Sequence, residues 1–179
     1  MKLKERYQKE IAPALQKELG LTNAISVPRP KSVSISVGLS QKHKDSRILE
    51  IVEKTLTRIS GQKPVTTKAK KSIAGFKIRE GMIVGMRVTL RGPRMWDFLE
   101  KLLMVTFPRI RDFRGISPKL IDAGGNISVG FSEFLSFPEI SPDEVERVHG
   151  LQVTLTTTAK DRKEGLALCK ALGFPFRDK

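Results

Sequence analysis

Only one cysteine, Cys169, occurs in the 179 residues. That excludes an internal disulfide and any multi-cysteine metal site, and it suits a reducing compartment. Histidine is almost as scarce. His43 and His149 stand far apart, with no acid or nucleophile at an informative spacing, so each reads as a surface or structural residue and not as a general base. No apolar run is long enough to span a bilayer, and the N-terminal MKLKERYQKE has no apolar core after its lysines, so neither a membrane span nor a secretory signal is expected. GQKPVTTK and DAGGN match neither a phosphate-binding P-loop nor a dinucleotide fingerprint, and no internal repeat or low-complexity tract is found. The residues therefore point to no enzyme, cofactor or metal. Acidic residues are the last shortage: 19 Asp and Glu face 33 Lys and Arg, for a net charge of +14 and a pI near 10.2. Such a charge repels itself unless neutralised, and nucleic-acid phosphate is the usual neutralising partner.

The surplus is concentrated. Residues 62–114 hold 13 Lys and Arg against 4 Asp and Glu, a local balance of +9. Within them Met86, Val88 and Leu90 alternate with Arg87, Thr89 and Arg91, so a strand is expected from Met86 to Arg91 with one apolar and one basic face. Val65, Thr67 and Ala69 likewise oppose Thr66, Lys68 and Lys70, which predicts a second strand with Thr66 on the basic side. Gly81 and Gly85 punctuate the stretch between them. The pair reads as a long basic hairpin with a mobile loop between Lys71 and Gly85, in which Phe76 and Ile78 alternate with Lys77 and Arg79. The basic run continues into Arg109, Arg111 and Arg114.

The remaining elements supply a core. Leu3, Tyr7, Ile11, Leu15 and Leu19 form one helical stripe, with Pro13 either kinking the helix or opening it. Val33, Ile35 and Val37 alternate with Ser32, Ser34 and Ser36, a half-buried strand whose small hydroxyls leave room for a flat partner. Ile48, Ile51, Val52, Leu56 and Ile59 predict a helix capped by Asp45 or Ser46 and stopped at Ser60-Gly61. Gly92-Pro93 opens a helix with Met95, Phe98, Leu99, Leu102, Leu103 and Val105 on its apolar face, ended by Pro108. Trp96 lies on that stripe and reads as core, as does Cys169. Further strands are expected at 127–131 and 151–157, and Asp161 with Glu164 forms a capping box for a last helix stopped by Gly173. Residues 132–150 reverse the charge to about -4, a patch suited to a basic protein partner.

Several strands lie too close together for parallel crossovers, so the class is α+β: a mostly antiparallel sheet with helices on one face. A single domain spanning 1–179 is expected. The open face would then carry Ser, Thr, Lys and Arg, which suits folded RNA. Two other classes compete. An RNA-modifying enzyme would need a cofactor pocket or an activated nucleophile, and a DNA-architectural protein would prefer bent duplex.

At GQKPVTTKAKKSIAGFKIREG, VTLRGPRMWDFLEKL, FPRIRDFRG, FPEI, LQVTLTTTA and GFPF the chain resembles the bacterial large-subunit ribosomal protein L-five family over essentially its whole length. The resemblance implies a non-catalytic, cytoplasmic ribosomal protein that is a monomer within the ribosome. It would bind 5S rRNA in the central protuberance, adjoin 23S rRNA, contact peptidyl-site tRNA through a loop and bridge to small-subunit protein S-thirteen. On the matched positions Gln62, Phe76 and Thr89 face 5S rRNA, with Lys63, Lys68 and Arg91 beside phosphates. Ser34, Ser36 and Arg87 complete the expected RNA face. Ser72, Ile73, Ala74, Gly75, Lys77, Arg79, Gly81 and Met82 form the tRNA-contacting loop, and Glu139, Asp143, Glu144 and Glu146 the small-subunit contact. Three positions depart from the family pattern. Ser36 replaces Asn, Gly124 replaces Arg and His149 replaces Arg, each altering one local contact.

Overall fold

Alternation sets the strands, and the computed structural model, which describes residues 2–39, 46–111, 113–140 and 148–177, contains five of them. These are β1 (Pro30–Gly38), β2 (Val65–Lys68), β3 (Ile83–Leu90), β4 (Ile127–Phe131) and β5 (Leu151–Thr157). They form one antiparallel sheet in the order β2-β3-β1-β5-β4, and with the helices they make the expected α+β architecture. His43 and Asp45, the latter named above as a cap, lie outside the described residues.

Four helical stretches accompany the strands. α1 comprises Leu3–Arg6, a wide π turn at Tyr7–Ile11 and Ala12–Glu18; α2 is Ser46–Ser60; α3 comprises Gly92–Lys101, a π turn at Leu102–Thr106 and Phe107–Arg109; α4 is Arg162–Leu172. The chain gathers into two compact units, each built from separated segments. Unit 1 is Met1–Val33, Leu90–Val129 and Thr154–Lys179, and unit 2 is Ser34–Thr89 and Gly130–Val153.

In unit 1, α1 buries Leu3, Tyr7, Ile11 and Leu15, while α3 buries Met95, Phe98, Leu99, Leu102, Leu103, Thr106 and Phe107. Each fully buried Leu or Phe contributes about 1.5–3 kcal/mol, so these stripes are what anchors the helices. Pro13 lies in the first turn of an α segment, the opening place allowed for it, and the helix carrying Pro108 ends one residue later at Arg109, as expected. Pro13 and Pro108 each sit two residues after a π turn, at the start of the next α segment. A proline cannot donate to the carbonyl four residues back and its ring crowds that carbonyl. The wider turn ahead of it relaxes both problems, and after Pro13 the helix continues to Glu18. At the end of the second π turn the buried stripe passes through Thr106 to Phe107, leaving Val105, expected inside, 37% exposed.

The start of α4 matches its capping signal with one change. The Asp161 carboxylate accepts from the Glu164 N–H at 2.8 Å, but the Glu164 carboxylate accepts from the Lys160 N–H at 2.9 Å and not from Asp161. Gly173 ends the helix at φ +95°. Cys169 is fully buried on α4, and burial pushes its thiol up to about 12.

In unit 2, α2 buries Ile48, Val52, Leu56 and Ile59, as its periodicity predicts. The strands bury Ile35, Val37, Met86, Val88, Phe131, Leu151 and Val153, and the buried rings of Phe131 and Phe137 lie with centroids 5.6 Å apart. The His149 ring packs on Phe134 with centroids 4.4 Å apart, which gives it a structural place.

Candidate nucleic-acid interface

The apolar residues of β1 and β3 are buried, so the alternate positions open outward. In unit 2 these are Ser34 and Ser36 on β1 and Arg87 and Thr89 on β3; both serines and Thr89 are half-buried, and Arg87 is exposed. β3 begins at Ile83 and runs through Gly85, earlier than the expected start at Met86. Glycine is needed there because a Cβ would lie 2.5 Å from the Val37 carbonyl oxygen and 3.1 Å from Thr67 Oγ1. Arg91, expected as the last strand residue, instead precedes α3 as its N-cap in unit 1, where it is exposed.

The register of β2 corrects the expected face. Val65 pairs with Arg87, Thr66 with Met86 and Thr67 with Gly85, so Val65 and Thr67 share the open face and Thr66 does not. Sequence alternation missed this because VTTK is polar or exposed at every position, and period 2 then carries no sign. A register irregularity follows between Thr67 and Lys68, and Lys68 pairs with Ile83. Two consecutive residues thus oppose two that are two apart on β3, which brings Lys68 to the side of Thr67. Val65 is 70% exposed, an apolar side chain among hydroxyls and cations.

Gln62 is placed by the end of α2. Gly61 takes φ +66°, and the Gln62 N–H donates to the Ser60 hydroxyl at 3.2 Å, while that hydroxyl donates to the Leu56 carbonyl at 2.6 Å. Lys63 is exposed but carries a surface ion pair, Nζ to Glu53 Oε1 at 3.4 Å. A phosphate would compete with that carboxylate at little cost, since exposed pairs are worth about 0–1 kcal/mol.

The loop after β2 is a hydrogen-bonded extension of the hairpin. Ala69 and Met82 continue the ladder at 2.8 Å, Ile73 and Ile78 exchange two backbone bonds at 2.9 and 3.1 Å, and Ser72 Oγ accepts from the Glu80 N–H at 2.9 Å. In place of the expected alternation at 76–79, Ala74–Phe76 forms a 3-10 turn and Lys77 adopts a left-handed conformation at φ +48°. Residues 71–77 are all exposed, with Ile73 at 48% and Phe76 at 69%; Gly75, Arg79 and Gly81 are exposed and Met82 half-buried. An aromatic ring is thereby held out at the tip of a basic hairpin.

Of the acidic segment, Glu139 is half-buried between the buried Phe137 and Ile140, whereas Asp143, Glu144 and Glu146 lie outside the described residues. Gly124 is exposed in the turn where the Asp122 carboxylate accepts from the Asn126 N–H at 2.8 Å and from Asn126 Nδ2 at 2.9 Å. Trp96, read as core, is half-buried, with its ring 5.3 Å from that of Tyr7 in unit 1.

A family model described as ribosomal protein L5 matches residues 23–79, and one described as the C-terminus of the same ribosomal family matches residues 83–176. The large ribosomal subunit protein uL5 of Colwellia psychrerythraea is 49% identical over 178 residues, covering 99% of this chain and 98% of that protein. The protein of the same name from Francisella tularensis subsp. novicida is 51% identical over 176 residues, covering 98% of each. The chain belongs to the ribosomal protein L5 family and is a structural ribosomal protein, not an enzyme.

Proposed function

We propose that the open face of unit 2 binds 5S rRNA and helps attach it in the central protuberance, next to 23S rRNA. The family makes this chain a structural constituent of the large ribosomal subunit, part of the ribosome. The observation that carries the reading is the open face itself: Ser34, Ser36, Thr67 and Thr89 set hydroxyls beside Arg87 and Lys68. Cations neutralise phosphates, and small hydroxyls fit sugar edges and 2'-hydroxyls without steric demand. Gln62 and Lys63 add polar and charged groups, Phe76 offers a ring for stacking, and Arg91, in unit 1, offers a phosphate contact of its own. No bond is made or broken in this role.

The exposed hairpin tip from Ser72 to Met82 is the part that contacts peptidyl-site tRNA. It combines Lys77 and Arg79 with the exposed ring of Phe76. The acidic segment that includes Glu139, Asp143, Glu144 and Glu146 docks to the basic small-subunit protein S-thirteen, and the setting is the bacterial cytoplasm. Gel-shift titrations against 5S rRNA, bulk tRNA and duplex DNA test the main reading. A clear preference for 5S rRNA at moderate salt is expected, and equal affinity for all three would overturn it.

A further inference from the structure

Unit 1 carries a cleft of about 420 Å³ whose walls include Lys4, Tyr7, Arg29, Lys31, Gly92 and Trp96. Its size lies in the range of roughly 300–1,000 Å³ found for small-ligand sites. Three of the six are cations, all exposed, and among the described residues no carboxylate lines the cleft. Gly92 begins α3, and among the described residues no side chain caps that helix start, so the positive end of the helix adds to the field of the lysines and the arginine. The chain's single tryptophan and single tyrosine meet in the same wall. The Tyr7 hydroxyl donates to the Pro28 carbonyl at 2.9 Å, which fixes its ring behind Trp96, and Trp96 keeps part of its surface open. A partly open indole beside three cations is the chemistry that receives a base and its phosphate together.

We propose that this cleft is a second RNA contact, separate from the sheet face of unit 2, that takes an unpaired nucleotide, with the base against Trp96 and the phosphate among Lys4, Arg29 and Lys31. The proposal rests on the reading of the chain as an RNA-binding protein. An acidic peptide would satisfy the cations but would leave the rings without a partner, and so fits the site less well.

Because Trp96 is the only tryptophan, its emission reports on the cleft alone. The full-length protein is titrated with hexaadenylate RNA, with AMP and with inorganic tripolyphosphate at one moderate ionic strength. Saturable quenching is expected with the hexamer, at a much lower midpoint than with AMP. In Arg29→Gln and in Lys4→Gln, each checked for native circular dichroism, the midpoint should rise by about tenfold, the size of one charge-assisted contact. Unchanged emission while the hexamer binds, as followed by anisotropy of a labelled strand, would overturn the proposal. Equal quenching by tripolyphosphate would reduce the cleft to an anion site, and equal midpoints for AMP and hexamer would make it a mononucleotide site; either result removes the RNA assignment. The 5S rRNA titration is independent of this signal. If 5S preference fails while hexamer quenching holds, the sheet-face reading falls alone.

Discussion

Gly85 on β3 lies so close to β1 that a Cβ added to it would stand 2.5 Å from the carbonyl oxygen of Val37. Backbone cannot yield there as a flexible side chain would. Gly85→Ala should therefore cost about 1–3 kcal/mol, the usual penalty of overpacking. Gly130→Ala, on a strand where nothing lies within 4 Å of an added Cβ, should stay within about 0.5 kcal/mol. Urea melts of the two variants against the parent chain check the contrast, and equal midpoints would refute the close approach.

RNA affinity should respond to the open face residue by residue. Thr89→Ala and Phe76→Ala are each expected to weaken 5S rRNA binding by about 1–3 kcal/mol through loss of one polar contact or one stacked base. Arg87→Gln should lower the slope of log affinity against log salt by about 1, as one phosphate contact does. Thr66→Ala, whose side chain shares its face with Met86, should change little. A Thr66 effect as large as that of Thr89 would count against the register.

Burial holds the Cys169 thiol at about 12 against an ordinary 9.0. The folded protein should thus resist Ellman's reagent at pH 8 and react fully only when unfolded. Because the folded value is the higher one, the associated stability is complete below pH 9 and fades as the pH climbs toward 12. Rapid labelling in native buffer is the contrary result.

Hydrogen bonds from the Asn126 side chain, then from its backbone, hold the Asp122 carboxyl below the ordinary carboxylate value of 3.8. The lowered value means that the turn is favoured above that pH and loses its support as acid is added through and below it. The Asn126 amide resonance, followed from about pH 5 to about pH 2, should move with a midpoint below 3.8. A midpoint at or above that value would remove the proposed tie.

At α4 the Asp161 carboxylate receives the Glu164 N–H, so Asp161→Ala should destabilise unit 1 by about 1 kcal/mol while Asp161→Ser largely retains the cap. Thermal melts of the two variants separate loss of the cap from loss of charge.

The sequence by itself determined the parts whose signal is local and periodic. Ile48 to Ile59 mark α2 because one side of a helix must be apolar to be buried, and Val33, Ile35 and Val37 mark β1 because a pleated strand sorts alternate residues. The basic and hydroxyl character of Ser34, Ser36, Arg87 and Thr89 followed from the same alternation. Family membership rested on ordered motifs along the whole chain. What the tertiary structure alone decided lay where local pattern carries no sign or where distant segments meet. The four residues of β2 carry no alternation of apolar and polar, so only hydrogen bonding to β3 could put Val65 and Thr67 on the face of Arg87 and Thr66 on that of Met86. The π turns ahead of Pro13 and Pro108 had no signal in the local pattern. Tyr7 and Trp96 are far apart along the chain, and only packing within unit 1 sets their rings side by side beside three cations.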